Sequence, residues 1–141
     1  MNDHRTQGNG RSTLRSDRGT TVVEFAITSL VFFMTLFGIV QFGLVLWKYN
    51  VVAFAAKEGA RYAAVRGASS KTPATATSVQ AYAISQAFGE NVTVATTWNP
   101  TDKSAGGVVT VQVSETFTPF TSLVPSTVIN LRSTAQLTVV Q

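Results

Sequence analysis

The sequence predicts an α+β protein, in which a long N-terminal transmembrane helix continues into a stalk and is followed by a second short helix and a three-stranded antiparallel sheet. Three observations carry this expectation. No residue from Phe25 to Trp47 is charged. The segment after it, from Val51 to Arg66, keeps a helical period with small side chains along one stripe. Three later stretches, around residues 92–98, 109–117 and 129–139, alternate with a period of two.

The uncharged segment comes first in the argument. At 1.5 Å per residue it extends about 35 Å, enough to cross a hydrocarbon core of about 30 Å with some tilt. Arg5, Arg11, Arg15 and Arg18 precede it, opposed by Asp3 and Asp17. That excess of positive charge is expected to hold the N-terminus in the cytoplasm, with Trp47, Lys48 and Tyr49 as an interfacial anchor on the far side. Residues 1–19 then form a cytoplasmic leader, 20–49 the transmembrane helix and 50–141 a domain outside the cytoplasm. A conventional cleaved signal peptide fits poorly, because its small-residue cleavage site follows its apolar region.

Past the membrane, Val52, Ala56, Gly59 and Ala63 fall on one stripe of the continuing helix, suited to close packing against a sheet or another helix. Phe54, Lys57, Glu58, Arg61 and Val65 fall on the other side, where Glu58 and Arg61 are spaced to pair. After a loop at residues 68–71, Thr72 and Pro73 give a helix start, and the expected second helix runs from Pro73 to Phe88 with Gly89 as its terminator. Val79, Ala83 and Ala87, with Ala76, form its apolar stripe.

The first strand contains Val92 and Val94 and extends toward Trp98, with turn chemistry at residues 99–102. Gly106 and Gly107 open the second strand, whose inward face holds Val109, Val111, Val113 and Phe117 with Glu115 as the one intruder. Ile129, Leu131, Ala135, Leu137 and Val139 line the third. The natural cover for this face is the small-residue stripe together with the second helix. Phe120 and Leu123, in the apolar loop before the third strand, are expected to tuck under the sheet, with a subunit-contact knob as the alternative.

Composition excludes several classes of function. The chain has 141 residues, of which only 13% are charged, and the region after the membrane helix suffices for one small domain. The net charge of +4 is not a nucleic-acid footprint, because after the leader seven basic residues face five acidic ones without a dense patch. There is no cysteine, and the only histidine, His4, lies in the leader. Nucleophilic and zinc constellations are therefore not expected, nor a cofactor or a small-molecule substrate, and the chain is not expected to be an enzyme. Glu90, Asp102 and Glu115 are read as separate surface acids.

The junction of leader and helix carries the most specific signal. Arg18-Gly19-Thr20-Thr21-Val22-Val23-Glu24-Phe25 places a glycine, then a lone carboxylate at the mouth of a spanning segment, where an unpaired charge is costly. A new α-amine made by cutting after Gly19 would pair with it. This order resembles the processing site of type IV prepilins and pseudopilins, in which a peptidase cuts after a glycine and the fifth mature residue is glutamate. Ala55-Ala56-Lys57-Glu58-Gly59-Ala60-Arg61-Tyr62-Ala63-Ala64 in turn resembles the alanine-rich Glu-Gly-Ala-Arg block of TadE-like proteins, the pseudopilin-like components of the tight adherence (Tad, or Flp pilus) apparatus.

The resemblance implies a pilin-like minor pilin or pseudopilin, cut between Gly19 and Thr20 by a prepilin peptidase and required for pilus assembly and surface adhesion. Glu24 and Phe25 would serve assembly, and Glu58, Gly59 and Arg61 helix packing and ion pairing. The implied partners are the peptidase, other pilins or pseudopilins, platform proteins of the Tad apparatus and membrane lipid. The implied location is the bacterial cytoplasmic membrane, crossed once, with incorporation into a pilus. The alternatives are an uncleaved, signal-anchored binding module and a type II secretion pseudopilin. Unlike the better-known type IVa pilins, this chain has no proline in its first helix, which leaves Gly38 and Gly43 as the weak points of the membrane segment.

Overall fold

The computed structural model describes residues 13–119 and 128–140, with side chains from residue 19 onward. Its elements are α1 (Thr13–Ala64), α2 (Ala76–Ser85), β1 (Thr93–Asn99), β2 (Val108–Phe117) and β3 (Ile129–Thr138). The strands form one antiparallel sheet in the order β1-β2-β3. This is the predicted architecture of a long apolar helix, a short helix and three strands. Phe120 and Leu123 lie outside the described residues.

The chain divides into two units, the first ending at Val40 and the second starting at Gln41. The described part of the first is helix alone. Its large apolar side chains, among them Val22, Phe25, Leu30, Phe32 and Ile39, are exposed, and α1 is long and apolar enough to cross a membrane. α1 runs through Gly38 and Gly43 without a break, and a Cβ at either glycine would meet nothing within 4 Å.

The second unit has one core. β2 is the middle strand, so its inward residues Val109, Val111 and Val113 are sealed on both sides and are fully buried. Val52, Ala55, Ala56, Ala60 and Ala63 of α1 and Val79 and Ala83 of α2 are fully buried as well. The expected stripe of small residues is thus real and wider than its four predicted positions. Gly59 is where α1 comes closest to its neighbours: a Cβ there would lie 3.2 Å from Ala83 Cβ and 3.2 Å from Val111 Cγ1. β3 is an edge strand and less covered, so Ile129 and Leu137 stay partly exposed although they share the inward face.

α2 is shorter than the sequence suggests. It starts at Ala76 behind Thr75, which forms a reciprocal capping box with Ser78: the Ser78 amide donates to Thr75 Oγ1 at 3.1 Å and the Thr75 amide to Ser78 Oγ at 2.9 Å. A helix from Pro73 would need the Ser78 amide to bond the Ala74 carbonyl. That carbonyl instead accepts from Lys103 Nζ at 2.7 Å, and the Ala74 amide donates to the Arg66 carbonyl at 2.8 Å. Ala76 is consequently exposed and outside the apolar stripe. At the other end Phe88 and Gly89 have φ of 52° and 86°, so the helix stops before them, with Gly89 in the left-handed conformation expected of a terminator.

Ring contacts reinforce the two-helix layer, with Tyr62 stacked on Tyr82 at 4.6 Å and Phe54 lying 5.8 Å from Phe88. At the end of the sheet remote from Phe117, the Val140 amide donates to the Ala64 carbonyl at 2.9 Å, tying the chain end to the end of α1. Gly107 before β2 admits no side chain, because a Cβ would lie 2.9 Å from Pro100 Cδ and 3.0 Å from the Ser104 carbonyl oxygen.

Candidate functional site

Gly19, Thr20, Glu24 and Phe25 all lie on α1, whose first turns begin upstream at Thr13. Each of the four is exposed. A Cβ at Gly19 would meet nothing within 4 Å, so packing within the chain does not require a glycine there. The peptide bond after Gly19 lies within α1, where a glycine weakens the helix by about 1 kcal/mol relative to alanine.

The second set of sequence candidates surrounds Gly59. Glu58 and Arg61 form the expected i,i+3 ion pair, with Arg61 Nη1 3.3 Å from Glu58 Oε1. The Arg61 side chain is 72% exposed and Glu58 23%. A pair this open contributes about 0.2–1 kcal/mol. Arg61→Ala is accordingly expected to leave the thermal midpoint of the full chain in detergent nearly unchanged, and a drop of more than a few degrees would show that Arg61 packs as well as pairs.

A third cluster departs from the sequence reading. Glu90 and Glu115 are not separate surface acids: both accept a hydrogen bond from Lys48 Nζ and flank it as ion pairs. Three elements supply the groups: α1 gives Lys48, the turn after α2 gives Glu90, and β2 gives Glu115. Lys48 thus ties α1 to the turn after α2 and to β2. The Glu115 side chain is only 4% exposed, and its Oε2 is buried with no hydrogen-bond partner among the described residues.

The two acids are perturbed in opposite directions. The hydrogen bond from Lys48 holds the Glu90 carboxyl below the usual carboxylate range. Burial pushes Glu115 up, despite the same lysine. The sequence did contain a signal for this cluster. An acid at an inward position of an otherwise apolar face demands a cation, and Lys48 is the first one after the uncharged segment.

The model of the TadE-like protein family matches residues 19–61, from Gly19 of the helix start through Arg61. The match covers less than half of the chain and ends before α2 and the sheet. A search of the curated proteins gives no match, and neither does a search of the solved structures.

Proposed function

From the match to TadE-like proteins over residues 19–61, we propose that this chain is a membrane-anchored minor pilin or pseudopilin of a tight adherence pilus, matured by a prepilin peptidase that cuts between Gly19 and Thr20. The single observation that carries the reading is that the matched stretch holds Gly19, Glu24 and Phe25 at the head of an exposed apolar helix long enough to span a membrane. In this reading the leader keeps the N-terminus in the cytoplasm and the sheet lies outside it. The apolar helix face exchanges lipid for other pilin helices during assembly. The chain has no catalytic part, and its contribution to adhesion comes through the pilus it helps to build.

Glu24 has a defined place in this scheme. Cutting after Gly19 turns the Thr20 nitrogen from a helix amide into an ammonium group, the natural partner for a carboxylate at the edge of the bilayer. Glu24→Ala is expected to be inserted and cut normally and to leave cells without pili, scored by electron microscopy beside the intact mass of the membrane-extracted protein. Normal piliation in that variant would remove Glu24 from assembly.

The alternative is an uncleaved anchor that keeps its leader. Recovery of the leader on the mature protein would select that reading.

A further inference from the structure

The turn that joins α2 to β1 carries a side chain that packing within the chain does not explain. Phe88 has a φ of 52°, a conformation that strains a bulky residue and that glycine or asparagine adopts more readily. Its ring is nevertheless 71% exposed, the highest value for a large apolar side chain among the described residues after Trp47, and lies 5.8 Å from the ring of Phe54. A strained backbone that holds an aromatic ring out in solvent points to a contact outside the chain. Phe54 and Trp47, seven positions apart on α1, are themselves exposed and share one side of that helix.

The depth of this turn selects the partner. α2 runs antiparallel to α1, since Tyr62 meets Tyr82 and Phe54 meets Phe88, so its C-terminal end points back toward the uncharged segment. Two residues after Phe88, Glu90 bonds Lys48, which directly follows Trp47, the last residue of that segment. Phe54 is about 9 Å beyond Lys48 along the helix. Residues 41–47, Lys48 and Phe88 all belong to one unit, so the ring sits beside the helix just where α1 leaves the apolar layer, within reach of lipid headgroups. Charge does not oppose that approach, because the acid nearest to Phe88 in sequence, Glu90, is paired with Lys48. We propose that the Phe88 turn inserts into the bilayer interface, with Phe54 and Trp47 completing an aromatic contact that docks the folded domain on the membrane from which α1 emerges. Aromatic rings are favoured at that depth, and lipid is already the neighbour of an anchored helix.

The test uses the full chain in nanodiscs of phosphatidylethanolamine and phosphatidylglycerol, with the photo-crosslinker p-benzoylphenylalanine replacing Phe32, Phe88 or Val140 in turn and adducts read by intact mass. The probe keeps an aromatic side chain at position 88, so the turn is retained. Val140 is nearly as exposed as Phe88, at 67%, but its amide bonds the Ala64 carbonyl, about 24 Å along α1 from Lys48. The chain with the probe at Phe88 should gain one phospholipid about tenfold more often than the chain with the probe at Val140, the ratio expected from taking one aromatic ring out of water. Equal lipid yields at these two positions, or an adduct at Phe88 with a second copy of the chain instead of lipid, would overturn the proposal. It rests on α1 as a membrane anchor, which the probe at Phe32 reports separately. Lipid adducts at Phe32 with none at Phe88 would overturn the docking alone, and none at either position would overturn anchoring and docking together.

Discussion

Gly59→Leu is expected to destabilise the domain by about 3 kcal/mol or more, the upper range for forcing extra methylenes into a packed core. The first added carbon already comes within 3.2 Å of both Ala83 Cβ and Val111 Cγ1, and the remaining three have only α2 and the middle strand to enter. Relief would require α1 to move away from the sheet, opening the contact made by its whole small-residue stripe. Gly59→Ala sets two smaller effects against each other: a helix-propensity gain of about 1 kcal/mol and a contact that requires its neighbours to give by a few tenths of an ångström. Its stability should stay within about 1 kcal/mol of the parent. Adding Ala83→Gly to Gly59→Ala should recover part of any loss. Chemical denaturation of the full chain in detergent, followed by near-ultraviolet circular dichroism, reads all three variants. A leucine variant as stable as the parent would mean that α1 does not pack on the sheet at Gly59.

Lys48→Met is expected to have the second large effect, because it keeps most of the side chain's volume and removes the cation that bridges Glu90 and Glu115. Breaking a buried pair costs about 3–5 kcal/mol, and the lower end applies here because Lys48 and Glu90 each keep about a fifth of their surface in solvent. For a domain of this size that corresponds to a fall in midpoint on the order of 15 °C. The loss should shrink as pH falls, since a protonated Glu115 no longer needs a cation.

The unaltered chain has its own pH dependence, with opposite signs at the two acids. Glu90, with its folded value lowered, contributes stability that is present above its ordinary value of 4.5 and is lost as pH falls through the folded value. Glu115, with its folded value raised, binds its proton more tightly in the folded state. Stability is therefore lost at this group as pH rises above 4.5. Relative to Glu115→Gln, the parent should lose stability as pH rises through that window. Relative to Glu90→Gln, it should gain as pH rises. Parallel curves for parent and variants would mean that the cluster does not couple protonation to folding.

Much of this architecture is legible because it is written in local periods. The alternation of Val109, Val111 and Val113 marks the buried strand face, and the small residues at 52, 56, 59 and 63 mark the helix face that covers it. The start of α2 is harder to read, since Thr72-Pro73 and the Thr75/Ser78 box are both valid local starts. The choice between them rests on bonds from residues 66 and 103, which no window around residue 75 contains. Lys48 and Glu115 are farther apart still, separated by 67 positions, and only the folded sheet brings them together. Gly19 and Glu24 are the reverse case: their order along the chain is informative, while the fold adds only that neither is required for packing.

The measurement that bears most directly on the proposed function is the intact mass of the protein extracted from membranes of cells that carry the pilus apparatus. The account predicts a mature chain beginning at Thr20, without residues 1–19, and retention of those residues when Gly19 is replaced by leucine. Because a side chain at that position meets nothing within 4 Å, a block would be due to the peptidase and not to misfolding. A protein recovered with its leader intact would contradict the pseudopilin assignment and leave a permanently anchored chain.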